Sequence, residues 1–366
     1  MIAEAARHQP RAAFALTAAL AAPSHAYLFR GPRGSGKAAA ARAFAAELLS
    51  EGATDPDDAR RRAMLDPSPH PDLVWLRPPG AQHLVDDVRE QVIRAANLSP
   101  AEGSRRVFVI EEAEDLRDES QNGLLKTLEE PAPFAHLILI CSEPEQLAET
   151  ILSRCAPIEF APLAPDAVLE VLGSEGTDAT ARLSGGDVEL ARALSDERGS
   201  ALRATAETAA RAPRSGTAAT EPWRELLAAA SEAGELAGAE EERRLSEEAE
   251  AIGRRGRKGK LTREAVEQVR RTERRARTEA LDLGLALCCA WYRDLAAIAA
   301  GADDVVLNTD RMQELEEDAQ GLDPASARTA VEWVLDTRRR LRVNVSEELA
   351  LEALWLRLSA ALAREV

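Results

Sequence analysis

The sequence predicts an α/β core built around a phosphate loop, followed by a small helical region and an all-helical C-terminal region. Three observations predict it. Short apolar runs at 26–29, 73–76, 107–110, 137–140 and 158–160 alternate with helical patterns over the first 162 residues. All but the last, which Glu159 interrupts, are continuously apolar, as parallel strands are when helices cover both faces of their sheet. Between the first run and the helix after it lies Gly31-Pro-Arg-Gly-Ser-Gly-Lys37, in the strand–loop–helix setting that a phosphate loop requires.

Taken in order, residues 1–22 read as an amphipathic helix ending near Pro23, and 38–49 as a strong helix. Residues 50–72, rich in Asp, Pro and Arg, read as a loop or a frayed helical insert. Leu84, Val88, Val92 and Ile93 give 83–96 helical spacing. Residues 118–129 form a helix that Pro131 stops. Beyond Pro162 the strand pattern ends. Glycines at 173, 176, 185 and 186 break the next stretch into short helical pieces. Residues 211–222, with Pro213, Ser215, Gly216 and Pro222, look like a linker. From 223 onward the pattern is helical, with turns near 253–259, at Gly301 and at 321–324. Leu283, Leu287, Trp291 and Leu295 have the spacing of a core stripe, and Trp333 and Trp355 fit packing better than base stacking. The expected domains are 1–162, 163–212 and 213–366.

Composition narrows the function classes. A length of 366 residues suits two or three domains. Apolar residues make up 45% but aromatics 4%, so alanine and leucine dominate and favour helices. The net charge is −17, whereas a wide nucleic-acid face is normally basic. Contact with nucleic acid is therefore expected to be local or through partners. Cys141, Cys155, Cys288 and Cys289 form no CxxC pair, which gives no zinc signal and suggests free thiols. The N-terminus has no signal-peptide layout. The most apolar stretch, 280–300, contains Asp282, Arg293 and Asp294, so a buried helix fits it better than a membrane span. A soluble, cytoplasmic protein is expected. The basic cluster at 254–260 reads as a solvated loop balancing the acidic run at 240–250, with DNA phosphate contact as the alternative.

Four elements carry chemistry. Gly31, Gly34 and Gly36 let backbone N–H groups turn toward phosphate oxygens, the following helix adds its positive N-terminal end, and Lys37 reaches the outer phosphates. The next position normally gives a hydroxyl to Mg²⁺; here it is Ala38. ATP or ADP is therefore expected to bind weakly or not at all, with Mg²⁺ placement impaired. Glu111 and Glu112 end the third apolar run, at the edge where open α/β sheets bind ligands. Glu111 would take the metal-holding place usually filled by Asp, and Glu112 the water-polarising one; the pair also fits a plain polar strand end. Ser142 follows the fourth run, where a hydroxyl can sense a γ-phosphate, or be an ordinary turn serine. Arg154 precedes the last run. An arginine so placed can face a neighbouring subunit and stabilise charge on a phosphate held there, or simply form a surface salt bridge.

Together these residues resemble a family. His25-Ala-Tyr-Leu-Phe-Arg-Gly-Pro-Arg-Gly-Ser-Gly-Lys37, Asn122-Gly-Leu-Leu-Lys-Thr-Leu-Glu-Glu-Pro131, Ser142-Glu-Pro144 and Ile151-Leu-Ser-Arg-Cys155 are similar to bacterial clamp-loader subunits of the AAA+ class. The resemblance is strong over 23–162 and weaker beyond. Within the family, Arg274-Arg-Ala-Arg-Thr-Glu-Ala-Leu-Asp282, Trp291-Tyr-Arg-Asp294 and the run from Asn344 to Leu354 favour the member whose own nucleotide site is typically inactive over the ATP-hydrolysing gamma/tau type. The resemblance implies a RecA-like AAA+ core, a helical lid and a helical collar. It implies as partners gamma/tau ATPase subunits, a delta subunit, a sliding clamp and primed DNA, all met within the complex, and no membrane. It implies that Arg154 completes the ATP site of the adjacent subunit. Many relatives carry a four-cysteine zinc module before the second strand; residues 50–72 have no cysteine, so no zinc is expected. The lid arginine of active members has a shifted counterpart in Arg192, which fits a solvated helix face better.

Overall fold

The computed structural model describes residues 1–80, 82–251, 261–341 and 345–363. They divide into two units, Met1–Ala167 with Gly186–Val188, and Val168–Gly185 with Glu189–Val366.

The first unit is built on a five-stranded parallel sheet of order β2-β3-β4-β1-β5. The strands are β1 (Ala26–Arg30), β2 (Leu73–Leu76), β3 (Arg106–Ile110), β4 (Ala135–Cys141) and β5 (Ala156–Glu159). Leu28 of β1 lies opposite Leu139 and Pro157, which puts β1 between β4 and β5. Alternate residues serve opposite faces. Tyr27, Phe29, Val109 and Ile138 share one core with Leu16, Phe44 and Leu48. Leu28, Phe108, Ile110 and Leu139 share the other with Val88, Val92, Leu124 and Leu128. All of β4 is buried, as are nearly all of β1 and β3, which is why these central strands read as apolar runs, whereas the edge strand β5 is largely exposed. Each large apolar side chain so buried stabilises by about 1.5–3 kcal/mol.

The helices of this unit depart from expectation in three places. The single helix expected over 1–22 is two, α1 (Ile2–Ala5) and α2 (Pro10–Ala21). Pro10 disfavours helical backbone at the residue before it, so Gln9 sits at the break with φ −128° and ψ 63°. Its side chain is buried. After α3 (Lys37–Ser50), the segment expected as a loop or frayed insert contains α4 (Pro56–Met64). Pro56 suits the first helical position, and the Asp55 carboxylate accepts from the Asp58 N–H at 3.1 Å. The helix expected over 83–96 is irregular: α5 (Val85–Asp87) widens to a π-helix over Val88–Arg94 and tightens to a 3₁₀ turn over Ala95–Asn97. This keeps Val88, Val92 and Ala96 buried. Helix α6 (Asp118–Glu129) has the expected bounds, and α7 (Glu149–Leu152) is one short turn.

Helix α8 (Pro165–Leu172) leads into the second unit. The chain continues with α9 (Asp178–Leu183), α10 (Val188–Ser195), α11 (Glu197–Ser215), α12 (Trp223–Ala251), α13 (Arg263–Ala299), α14 (Met312–Ala319), α15 (Pro324–Leu341) and α16 (Glu347–Leu362). Leu285, Leu287, Trp291, Tyr292, Leu295, Leu354 and Trp355 lie in the core of this unit, with Leu283 and Trp333 packed against it. The residues read as a linker are helical as far as Ser215. Proline at 213 removes the N–H that would bond the Ala209 carbonyl. The Trp355 indole N–H donates to that carbonyl instead, at 2.9 Å. The buried Arg214 donates from Nε to the Asp318 carbonyl at 2.7 Å and from a terminal nitrogen to that of Leu362 at 3.1 Å. No helix among the described residues is long and apolar enough to cross a membrane. The basic cluster 254–260, the turn expected near 253–259 and Asn344 lie outside the described residues.

Candidate functional site

The loop leaves β1 at Arg30 and enters α3 at Lys37. Gly31 has φ 149°, and a β-carbon there would lie 2.1 Å from the Phe160 carbonyl oxygen. Gly34 has φ 64°, and Gly36 is the N-cap of α3. Gln9, placed by the break before α2, fastens this loop to the exit of β5. Its side chain donates to the carbonyls of Ser35 at 3.1 Å and Ala161 at 2.6 Å, and accepts from the Ala161 N–H at 3.1 Å.

Lys37 is 5% exposed. Its ammonium donates to the Gly31 carbonyl at 2.6 Å, the Pro32 carbonyl at 2.5 Å and the Ser142 hydroxyl at 3.3 Å. Burial pulls its pKa down to about 8, against the opposing pull of nearby Glu114 and Asp187. Every hydrogen of the ammonium is thus engaged by the loop and the end of β4. Ala38 is exposed at the start of α3 and has no oxygen for a metal.

The acids that end β3 separate. Glu111 accepts from the Trp75 indole N–H at 2.8 Å through one oxygen and from Arg77 Nε at 2.9 Å through the other. Arg77 also pairs with Asp66 at 2.7 Å, Asp66 with Arg42 at 3.2 Å, and Arg42 stacks 4.1 Å over the Trp75 ring. Glu111 is therefore one member of a charged network, with both oxygens engaged. Glu112 has left-handed backbone, φ 49° and ψ 52°. It lies beside Asp115, whose carboxyl is pushed up to about 7 by burial first and by the charges of Glu112 and Glu114 next. The acid that approaches Lys37 is Glu114, 6% exposed. One of its oxygens accepts from the Ser142 N–H at 3.0 Å. The other has no hydrogen-bond partner among the described residues.

Arg154 follows α7 and keeps about a third of its side chain exposed, 34%. It donates to the Thr150 carbonyl at 2.8 Å and to a Glu129 carboxylate oxygen at 2.7 Å. Arg192, on α10, is 52% exposed and pairs loosely with Glu189 at 3.5 Å.

Of the residues singled out from the sequence, the structure brings Gly31, Gly34, Gly36, Lys37 and Ser142 together. Glu111 and Glu112 go to other partners, and Arg154 stands on its own surface corner. Sequence reading missed Gln9, Glu114 and Asp187 as members of the loop's surroundings. Pro10 signals the break that turns Gln9 inward, and the Gly185-Gly186 pair signals the turn that carries Asp187. Nothing local marks Glu114 out from its acidic neighbours. The chain offers a magnesium ion poor terms here: position 38 has no oxygen, and Glu111 is held elsewhere.

Residues 9–164 match the family model described as DNA polymerase III, delta subunit. The DNA polymerase III subunit delta' of Bacillus subtilis is 33% identical over 148 residues, 40% of this chain and 44% of that one. The delta' subunit of Pseudomonas aeruginosa is 39% identical over 140 residues, 36% of this chain and 42% of that one. The tau subunit of B. subtilis is 32% identical over 149 residues, 40% of this chain and 26% of that one. This chain thus spans less than half the length of these curated relatives. Over residues 9–164 it is similar to the delta' and tau subunits of bacterial DNA polymerase III.

Proposed function

We propose that this chain is a delta-prime-type clamp-loader subunit of DNA polymerase III, a structural member of an assembly that loads a sliding clamp onto primed DNA. In this reading its partners are gamma/tau ATPase subunits and a delta subunit. It meets the clamp and DNA within the complex. The domains are a AAA+ core over 1–162, a lid over 163–212 and a collar over 213–366. Arg154 reaches the ATP of the adjacent subunit and stabilises charge developing on its phosphates. The chain's own loop is retained as architecture, with weak nucleotide binding or none and little or no hydrolysis.

One contrast carries the reading. Lys37 is engaged inward by three acceptors of its own loop and strand end, whereas Arg154 is presented at the surface through one ion pair to Glu129. A hydrolysing gamma/tau-type subunit is the second reading, favoured by the likeness to a tau subunit. Ala38 and the commitment of Glu111 to Arg77 and Trp75 weigh against it. The test is an assembly reconstituted with Arg154→Ala. It should form normally and lose DNA-stimulated ATP hydrolysis; hydrolysis at the unmutated rate would defeat the trans role. Turnover by the isolated chain at a rate matching the ATPase subunits would support the second reading.

A further inference from the structure

Among the groups around the loop, Asp187 lies far along the chain from Lys37 and has no place in the reading above. Residues Gly186–Val188 nevertheless group with the first unit, apart from their neighbours on both sides. They press directly on the loop. A β-carbon at Gly34 would lie 1.9 Å from Asp187 Oδ1, 2.2 Å from its Cγ and 2.5 Å from its Cα. The turn is itself tightly seated, because a β-carbon at Gly186 would lie 2.5 Å from the Leu163 N and 2.6 Å from its carbonyl oxygen. Gly186 also has φ 94°, a conformation that side-chain-bearing residues rarely take.

We propose that Asp187 is a built-in occupant of the phosphate cradle, its carboxylate standing against Gly34 where a nucleotide phosphate would sit. Nucleotide then reaches the loop only when the 186–188 turn withdraws. A glycine-rich turn leading into a helix favours an anion, and a carboxylate from the same chain meets that preference intramolecularly. Asp187 also presents negative charge to Lys37. A triphosphate would meet like charge on arrival, besides having to break the three bonds of the Lys37 ammonium. The proposal rests on reading residues 31–37 as a phosphate loop. It would make the weakness of the site a consequence of a displaceable plug as well as of Ala38.

The test is a titration of the full chain with a fluorescent ATP analogue, with and without Mg²⁺, competed by pyrophosphate. Asp187→Asn keeps the shape and removes the charge; Asp187→Ala removes both. Each should tighten binding by at least about tenfold, the order expected when one close like charge is removed from a partly buried site. Adding Lys37→Ala to either should abolish the gain, placing it in the loop. Unchanged or weaker binding in both variants, a gain that survives Lys37→Ala, or wild-type binding as tight as that of the variants would overturn the proposal. Thermal unfolding of each variant checks that it is folded, and Asp187→Asn carries the test if Asp187→Ala is not. The readout is binding by the isolated chain, whereas Arg154 is tested on a neighbour's hydrolysis, so either reading can fail alone.

Discussion

Lys37 and Arg154 are the two cations of the first unit to which the proposed function gives a phosphate, and the fold treats them in opposite ways. Lys37 is 5% exposed and donates to Gly31, Pro32 and Ser142. Arg154 is 34% exposed in its side chain and gives its charge to one carboxylate, Glu129, itself 51% exposed. A phosphate arriving at Lys37 must replace three short-range bonds in a site with little water to help. One arriving at Arg154 meets a partly exposed guanidinium held by the Thr150 carbonyl and by an exposed ion pair worth at most about 1 kcal/mol. A buried, satisfied cation serves the loop; an exposed, lightly held one is available to another molecule.

That contrast can be broken at several points. The largest effect belongs to Arg154→Ala in the reconstituted assembly, where hydrolysis at the neighbouring site should fall by roughly 10³-fold or more. Initial rates with primed DNA measure it. A fall below tenfold would mean that the exposed corner is not used on phosphate. Next is Glu114→Ala, which strips the Ser142 N–H of its acceptor and Lys37 of a nearby buried carboxylate. Urea unfolding should show a loss of about 1–3 kcal/mol, the usual cost of orphaning a buried polar group. An unchanged midpoint would show that the inward-turned lysine does not depend on that acid.

A pH effect of smaller size comes from Asp115. Its folded pKa is raised to about 7, so the folded state holds a proton that the unfolded chain releases near the ordinary carboxylate range. Its contribution to stability is fully present below that range and is lost as pH rises through about 7. Asp115→Asn should therefore flatten stability against pH between about 4 and 7; a profile parallel to wild type would remove Asp115 as its source. The smallest effect is expected at Glu129→Gln. Stability should change by less than about 1 kcal/mol, and assembly hydrolysis should stay within about threefold, because an exposed ion pair such as Arg154–Glu129 holds its guanidinium only weakly. A tenfold fall would instead make Glu129 a positioning residue for Arg154.

The sheet was legible because its three central strands, β1, β3 and β4, are buried on both faces, so their apolar runs stand out without any need for periodicity. Helix α6 was legible from spacing and from Pro131. What escaped depends on partners distant in sequence. Nothing near Pro213 announces that the Trp355 indole will take over the Ala209 carbonyl and let α11 run on. The glycines, Lys37 and Ser142 were found as motif members and do converge. Glu111 was expected either at the loop or as a plain strand end; its carboxylate goes to Arg77 and the Trp75 indole, partners that a strand-end carboxylate does not announce in the sequence. Asp187 has no local mark except the glycine pair before it.

Gly31 leaves a last consequence. Its missing side chain is demanded by the Phe160 carbonyl, 2.1 Å from where a β-carbon would be, and that of Gly34 by Asp187. Both demands come from the protein's own atoms. The letters by which a nucleotide site is usually recognised would therefore persist here on steric grounds alone, after every use for a ligand had gone. Position 38, which is exposed, is the more truthful gauge of whether this loop still works on phosphate.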